Sequence, residues 1–301
     1  MGGSAMSGDV ARGLTLDSLA LPLQVSRSYE LPGWVSANSL VIISSYSGNT
    51  EESLAAFEMA RARGAKIVCV TSGGKLQAHA QKDKLPTLPL PPGFPPRSAL
   101  VHLTVPLLVI LYRLGLTPDP AGDINEARLL LEKLGQQWGP SAEGPQNLAK
   151  NLAQALTQRV PIIYASYGLF EVAAWRWKEQ FCENAEILAW HNAFPELNHN
   201  ELVGWGLRRE LDQNLQVLYL RDRQDHARIQ KRMEVTRTLI AQSSAPVLEV
   251  WSEGHTLLAR LFSLIFLGDL VSVYLAILNG VDPTPVKKID FLKERLEQFH
   301  G

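Results

Sequence analysis

A run of small polar residues at positions 44–53, SSYSGNTEES, offers hydroxyl groups that could bind an anion. It follows the apolar, β-branched segment LVIIS and precedes a helical pattern, so it joins a buried strand to a helix N-terminus. Free N–H groups and the positive end of the helix dipole suit phosphate there. Ser45, Ser47 and Thr50 would surround the phosphate, and Gly48 lets the backbone approach it. The run therefore predicts a phosphate cradle, and the alternative is a helix cap with unused hydroxyls.

The cradle differs from the usual nucleotide-binding loops. The chain has no GxxxxGKS/T pattern and no GxGxxG pattern, so neither a P-loop nor a dinucleotide site is indicated. A loop of Ser and Thr without a lysine suits a monophosphate better than a metal-bound triphosphate. Nor do the histidines form HExxH or any other metal-ligand pattern. We therefore expect no metal site and no cofactor.

The elements around the cradle alternate between strand and helix patterns, which predicts an α/β fold with parallel sheets sandwiched by helices. The first half has strand patterns at Leu40–Ser44, Lys66–Thr71 and Leu85–Leu90, separated by helical patterns at Glu51–Arg63 and Lys75–Lys82. The second half repeats the scheme with strands at Val160–Ala165, Leu215–Leu220 and Val247–Trp251. Prolines crowd the region between the halves, so we predict two domains, residues 1–120 and 121–301.

Composition excludes several other classes of protein. The 301 residues have a formal charge of −1 and are 46% hydrophobic, so the chain should be globular, with no nucleic acid as partner. The two cysteines cannot form a disulfide framework, and the N-terminal residues lack a signal-peptide pattern, so we expect a cytoplasmic protein. Charged Arg260 and Asp269 interrupt the apolar run 257–278, which predicts a buried core helix and no membrane span.

Four longer motifs carry a resemblance to a known family. SYSGNTEES resembles the phosphosugar-binding loop of the sugar isomerase (SIS) domain, and GGSAMSGD near the N-terminus resembles a second glycine–serine loop of that domain. FPELNHNELVGW and WRWKEQFCENAE, in the second half, resemble segments of the bifunctional phosphoglucose/phosphomannose isomerase family. The resemblance covers nearly the whole chain and implies two SIS-type, flavodoxin-like domains.

The resemblance assigns the acid–base chemistry to two residues. It implies that Glu183 is the base that moves a proton between C1 and C2 of an enediol, and that His199 opens the sugar ring. In related isomerases this histidine comes from a neighbouring subunit, so we expect a homodimer with His199 supplied across the interface. Without the motifs, Glu183 is equally a solvated charge at a helix end, and His199 a polar surface residue.

Further substrate contacts are implied in the same way. Arg97 follows a proline-containing loop and would stabilise enediolate charge. Ser4, with Gly3 beside it, would join the phosphate site, and Thr284 and Lys288 (in preference to Lys287) would lie near the substrate. The chain begins inside the first glycine–serine motif. If the strand that usually precedes this motif is missing, we expect Ser4 not to be held against the phosphate.

Together the residues and the resemblance predict an aldose–ketose isomerase. It would interconvert glucose 6-phosphate, and mannose 6-phosphate, with fructose 6-phosphate through a cis-enediol, without metal or cofactor. One alternative is a phosphosugar-binding SIS protein that is a sensor or regulator without catalytic activity. Another is an amino-sugar phosphate isomerase, which normally carries a glutamine amidotransferase domain.

Overall fold

The computed structural model describes residues 2–299, apart from the side chain of Glu297. The chain separates into two compact units, with the division between Ile124 and Asn125. Each unit contains one parallel sheet with helices packed against it. The α/β class predicted from the sequence, with parallel sheets and flanking helices, is confirmed.

The first unit has a three-stranded parallel sheet in the order β1-β2-β3. Its elements are α1 (Gly2–Thr15), β1 (Leu40–Ser44), α2 (Glu51–Ala62), β2 (Lys66–Thr71), α3 (Gly74–Lys82), β3 (Thr87–Pro89) and α4 (Leu100–Arg113), with a 3-10 turn at Pro96–Ala99 before α4. The core between the sheet and the helices contains fully buried Phe57 and Leu76. Burying apolar side chains of this size stabilises the unit by about 1.5–3 kcal/mol each.

Local sequence explains how β1 leads through residues 45–50 into α2. The apolar residues of β1 pair with β2 from Leu40 opposite Lys66 to Ser44 opposite Val70. Glu51 and Glu52 occupy the first turn of α2 and Arg61 the last, which matches the helix dipole. Gly64 then adopts a φ of +67°, and the chain leaves the helix there.

The second unit has a four-stranded parallel sheet in the order β5-β4-β6-β7. Its elements are α5 (Ala121–Trp138, which crosses the division), α6 (Leu148–Leu156), β4 (Val160–Ser166), α7 (Leu169–Asn184), β5 (Trp190–Phe194), α8 (Arg209–Asp212), β6 (Leu215–Arg221), α9 (Ala227–Ile240), β7 (Leu248–Trp251), α10 (Leu257–Leu278) and α11 (Lys287–Glu297). Two 3-10 turns, Glu196–His199 and Glu201–Gly204, follow β5.

Helix α10 is long and apolar enough to cross a membrane, judged by its length and composition alone. It packs against α6 and α7, and 61% of its most apolar window is buried inside the protein, as in the core helix of a globular domain. Its two charges are partnered, Arg260 with Asp222 and Asp269 with Arg176. The ion pairs offset only part of the cost of burying these charges, and burial still raises the pKa of Asp269.

The structure corrects the expectation for the N-terminal motif. The segment GGSAMSGD was expected to be a loop, but it forms the first two turns of α1. Met6 and Val10, one helical turn apart, are fully buried as α1 packs against α4. This apolar spacing outweighs the low helix propensity of glycine and serine.

Besides the short helix α8, three elements were not predicted, and each has a weak sequence signal. β5 contains the polar residues His191 and Asn192, but it pairs in parallel with β4 as the edge strand of its sheet. α9 buries only the narrow stripe of Met233, Thr236 and Ile240. α6 follows a proline-rich stretch that obscured its start. The third predicted strand is shorter than expected, because Pro86 and Pro89 limit β3 to three residues.

Candidate active site

The predicted phosphate cradle lies where β1 ends and α2 begins. Ser45 is buried, and its Oγ lies 3.2 Å from Oγ1 of Thr50. Ser47 is exposed, and its Oγ accepts a hydrogen bond from the backbone N–H of Asn49 at 3.3 Å. Thr50 is the N-cap residue of α2, but its side chain makes no capping hydrogen bond. The alternative of a simple helix cap therefore does not account for the Thr50 hydroxyl.

A second loop, at the end of β2, fixes the shape of the cradle. Gly48 has a φ of +67°, and a Cβ atom there would lie 1.9 Å from the carbonyl oxygen of Gly73. The side chain of Asn49 accepts a hydrogen bond from the backbone N–H of Lys75 at 2.9 Å. Sequence reasoning missed this loop, TSGGK at 71–75. The two glycines directly after the second strand pattern could have indicated it, because ligands bind at the carboxyl ends of parallel strands.

The N-terminus of α1 reaches the same cradle. Ser4 Oγ accepts a hydrogen bond from the backbone N–H of Tyr46 at 3.2 Å. A Cβ atom on Gly3 would lie 3.1 Å from the carbonyl oxygen of Pro96, the residue before Arg97. Gly3 and Ser4 therefore contact both the cradle loop and the turn that carries Arg97. Ser4 is thus bonded directly to the cradle loop.

Arg97 is half-buried in the 3-10 turn that leads into α4. The proline-rich loop before it is tied to the cradle through Tyr46. The Tyr46 hydroxyl donates to the carbonyl oxygen of Pro91 at 2.8 Å and accepts from the backbone N–H of Phe94 at 3.0 Å. The first unit thus gathers Gly3, Ser4, Ser45, Ser47, Thr50 and the Arg97 turn around one loop.

Glu183 lies in the last turn of α7, in the second unit, and is half-buried. The end of this helix is held by α10 and the residue after it. Asn184 donates to Ser272 Oγ at 2.8 Å, and Asn279 donates to the carbonyl oxygen of Ala185 at 3.1 Å. Six residues before Glu183 on the same helix, Trp177 Nε1 donates to the carbonyl oxygen of Leu264 at 2.8 Å. The backbone of Glu183 is therefore fixed by bonds on both sides.

His199 ends the 3-10 turn after β5, and its ring is exposed. Strands β4 and β5 are parallel, and α7 runs back between them along the sheet. The end of α7 therefore lies by the amino end of β5, whereas His199 follows the carboxyl end. Five residues of strand separate the two ends, or about 17 Å. Within one chain, Glu183 and His199 lie at opposite ends of the sheet.

Of the predicted C-terminal contacts, Lys288 lies near the end of α7. Lys288 Nζ is 3.4 Å from a carboxylate oxygen of Glu186, three residues after Glu183, and the Lys288 side chain is 89% exposed. Thr284 donates its backbone N–H to Asp282 Oδ1 at 2.8 Å. Hydrogen bonds from Thr284 lower the pKa of Asp282, and the charge of Lys287 adds to the effect. Lys288 rather than Lys287 thus pairs near the end of α7.

A second imidazole in this unit is a poor acid–base candidate. His191 in β5 stacks on Trp175 of α7, with ring centroids 5.6 Å apart. Burial lowers the pKa of His191, and the nearby charge of Lys178 lowers it further. Both effects favour the neutral form of the ring. Among residues 2–299, no group of three or more His, Cys, Asp or Glu side chains could hold a metal ion.

These features define a protein of the sugar isomerase (SIS) class, with parallel α/β units and a hydroxyl-lined loop at a strand end. Residues 28–94 match the SIS domain, and residues 145–296 match the bacterial phospho-glucose isomerase C-terminal SIS domain. The fold is similar to the C-terminal domain of glucosamine-fructose-6-phosphate aminotransferase from Francisella tularensis. That match has a TM-score of 0.69 at 17% identity and covers 94% of this chain and 83% of the other.

Two relatives narrow the class to a family. The chain is 45% identical over 299 residues to the bifunctional phosphoglucose/phosphomannose isomerase of Caldicellulosiruptor bescii, covering 99% of this chain and 88% of that protein. It is 36% identical over 300 residues to the enzyme of the same name from Aquifex aeolicus, covering 99% and 89%. The chain belongs to the bifunctional phosphoglucose/phosphomannose isomerase family, and the resemblance inferred from its motifs is confirmed.

Proposed function

We propose that this chain is an aldose–ketose isomerase that interconverts glucose 6-phosphate and mannose 6-phosphate with fructose 6-phosphate. The names of its relatives support the substrate class. The observation that carries the proposal is the cradle, where Ser45, Ser47 and Thr50 lie at the N-terminus of α2 with a hydroxyl that caps no helix. A sugar phosphate bound there leaves its other end for the reacting groups.

The proposed reaction moves one carbon-bound proton between C2 and C1. With the aldose as substrate, His199 helps to open the ring, and the Glu183 carboxylate takes the proton from C2. The electrons of that C–H bond form the C1–C2 double bond, and the C1 carbonyl electrons move to O1, which gains a proton to give the cis-enediol. The protonated Glu183 then returns its proton to C1 as the O2–H electrons form the C2 carbonyl and the O2 proton is released, which completes the ketose. Arg97 would stabilise negative charge on the enediolate oxygens without losing a proton. Rotation about C2–C3 of the open-chain intermediate lets the same base serve the mannose epimer.

We also propose that the active unit is a homodimer in which one subunit supplies His199 to the site of the other. The positions of Glu183 and His199 at opposite ends of one sheet support this arrangement. A single chain cannot bring both side chains to one sugar carbon across about 17 Å of strand. An isologous two-fold contact would supply the second residue to both sites at once.

The proposed domains are residues 1–120, with the cradle, and residues 121–301, with Glu183 and His199. Neither cysteine of the described chain is in a disulfide, which supports a cytoplasmic protein.

Thr284 and Lys288 would complete the substrate site beside Glu183. A phosphosugar sensor would use the same cradle without turnover, so an assay of turnover distinguishes the two functions.

The test is solvent-deuterium incorporation at C1 of fructose 6-phosphate by purified protein, in buffer that contains EDTA. Wild-type protein should exchange this hydrogen, and Glu183→Gln should slow the exchange by about 10²–10⁴-fold, because Gln cannot accept a proton. Glu179→Gln, one helical turn earlier on α7, is the matched control. Exchange by Glu183→Gln at the wild-type rate would refute the mechanism. Complete loss of wild-type activity in EDTA, restored by zinc, would indicate a metal-dependent isomerase instead.

A further inference from the structure

The loop that carries His199 is held to the sheet by one carboxylate, that of Glu201. The hydroxyl of Tyr164 donates to Oε1 of Glu201, and the side-chain amide of Asn192 donates to Oε2. Tyr164 in β4 and Asn192 in β5 are register partners in the sheet. The two donors therefore stand side by side, and each carboxylate oxygen receives one of them.

The Tyr164 donor cannot easily be replaced by water. Its ring is fully buried among aromatic neighbours, including Phe194 and Tyr219. Burial and the charge of Glu201 raise the pKa of Tyr164, so the hydroxyl keeps its proton and remains a donor. A buried hydroxyl that loses its acceptor pays a desolvation cost, so Tyr164 requires an acceptor oxygen opposite it.

The other side of His199 is anchored independently. Leu197 is fully buried in the core of the second unit. Asn198 donates to Thr236 Oγ1 of α9 at 2.8 Å. On the Glu201 side, Asn200 Oδ1 accepts the backbone N–H of Glu201 at 2.6 Å. His199 is thus an exposed residue between two fixed points, a geometry typical of a preorganised functional group.

We propose that Glu201 is a positioning residue, whose clamp on Tyr164 and Asn192 holds His199 in the orientation required for ring opening. This inference rests on the proposed function, which gives His199 its task. In Glu201→Gln, the amide nitrogen would face a donor, so one of the two bonds would be lost. The loop would then shift. A displacement of about 1 Å in a reacting group can lower turnover by up to about 100-fold.

The experiment compares kcat and KM of Glu201→Gln with those of Glu196→Gln. Glu196 lies in the same loop on the other side of His199, is exposed, and accepts its hydrogen bond from Asn200 at 3.3 Å, a bond that the Gln oxygen can keep. We expect Glu201→Gln to lower kcat by about 10- to 100-fold with little change in KM. Glu196→Gln should match wild type. Tyr164→Phe removes one donor and keeps the aromatic ring, so it should lower kcat to a smaller extent. If Glu201→Gln does not fold, Tyr164→Phe tests the same clamp.

A double variant tests whether Glu201 acts through His199. Glu201→Gln combined with His199→Ala should be no slower than His199→Ala alone, because a residue that only positions the imidazole has nothing to add once it is gone. A loss equal to the product of the two single losses would overturn the proposal. Wild-type kcat in Glu201→Gln would overturn it as well, while leaving the role of His199 intact. Wild-type activity in His199→Ala would overturn both this inference and the role proposed for His199.

Discussion

Ser4 and Tyr46, 42 residues apart in the sequence, are joined by a hydrogen bond of 3.2 Å from the backbone N–H of Tyr46 to Ser4 Oγ. The bond ties the N-terminus of α1 to the cradle loop between β1 and α2. The Ser4 hydroxyl thereby joins the hydroxyls of Ser45, Ser47 and Thr50 in the cradle.

The cradle hydroxyls should matter for both binding and turnover. Replacing Ser45, Ser47 and Thr50 together with Ala should raise KM strongly and also lower kcat, because the binding energy of the phosphate positions the reacting end of the sugar. Steady-state kinetics with glucose 6-phosphate check this. Ser53→Ala, within α2, is the control and should behave like wild type. Unchanged kinetics in the triple variant would place the phosphate elsewhere.

Gly48 should be intolerant of any side chain. In Gly48→Ala, the new Cβ would lie 1.9 Å from the carbonyl oxygen of Gly73 at a φ of +67°. The left-handed backbone alone costs about 1–2 kcal/mol, and the contact must also force the two loops apart. We expect a lower thermal midpoint and a sharply raised KM. Gly93→Ala, with a φ of +96° and no atom within 4 Å of the Cβ, has the backbone strain without the contact. Equal effects of the two substitutions on KM would contradict the role of the loop contact.

Mixed dimers should recover activity lost in two separate variants. Glu183→Gln and His199→Ala should each be nearly inactive alone. If His199 comes from the partner subunit, a mixed dimer contains one site with both native residues. After random exchange of equal amounts, activity should reach about a quarter of the wild-type value, because half of the dimers are mixed and each has one intact site. Absence of recovery, with subunit exchange shown by differently tagged chains, would indicate that both residues act within one subunit.

Cys69 should make stability depend on alkaline pH. It is fully buried in β2, and burial raises its pKa to about 11. An unfolded thiol has a pKa of about 8.5. The folded state therefore favours the neutral thiol, and its contribution is complete below the unfolded pKa and is lost as pH rises toward 11. Urea unfolding of wild type and Cys69→Ala at pH 8 and pH 10.5 should show wild type losing stability relative to the variant. A difference that does not change with pH would contradict the burial argument.

Local sequence was sufficient to predict that a polar loop joins β1 to α2. The apolar strand, the glycine at the turn and the acidic first turn of α2 are all consecutive residues, so one short window holds the whole signal. The same holds for α2, α3 and α10 and for β1, β2, β4, β6 and β7. β5 could not be found in this way, because His191 and Asn192 hide it in a polar stretch. Only pairing with β4 makes it a strand.

Tertiary structure alone decided which distant residues meet. No spacing in the sequence indicates that Ser4 would bond to Tyr46, or that Tyr164 and Asn192 would share the carboxylate of Glu201. The motifs indicated Glu183 and His199 as a pair only sixteen residues apart in the chain. The fold puts a strand between them, because a parallel connection must return to the amino end of the sheet before the next strand begins. Residue types determined the available chemistry, and the path of the backbone determined where each group can act.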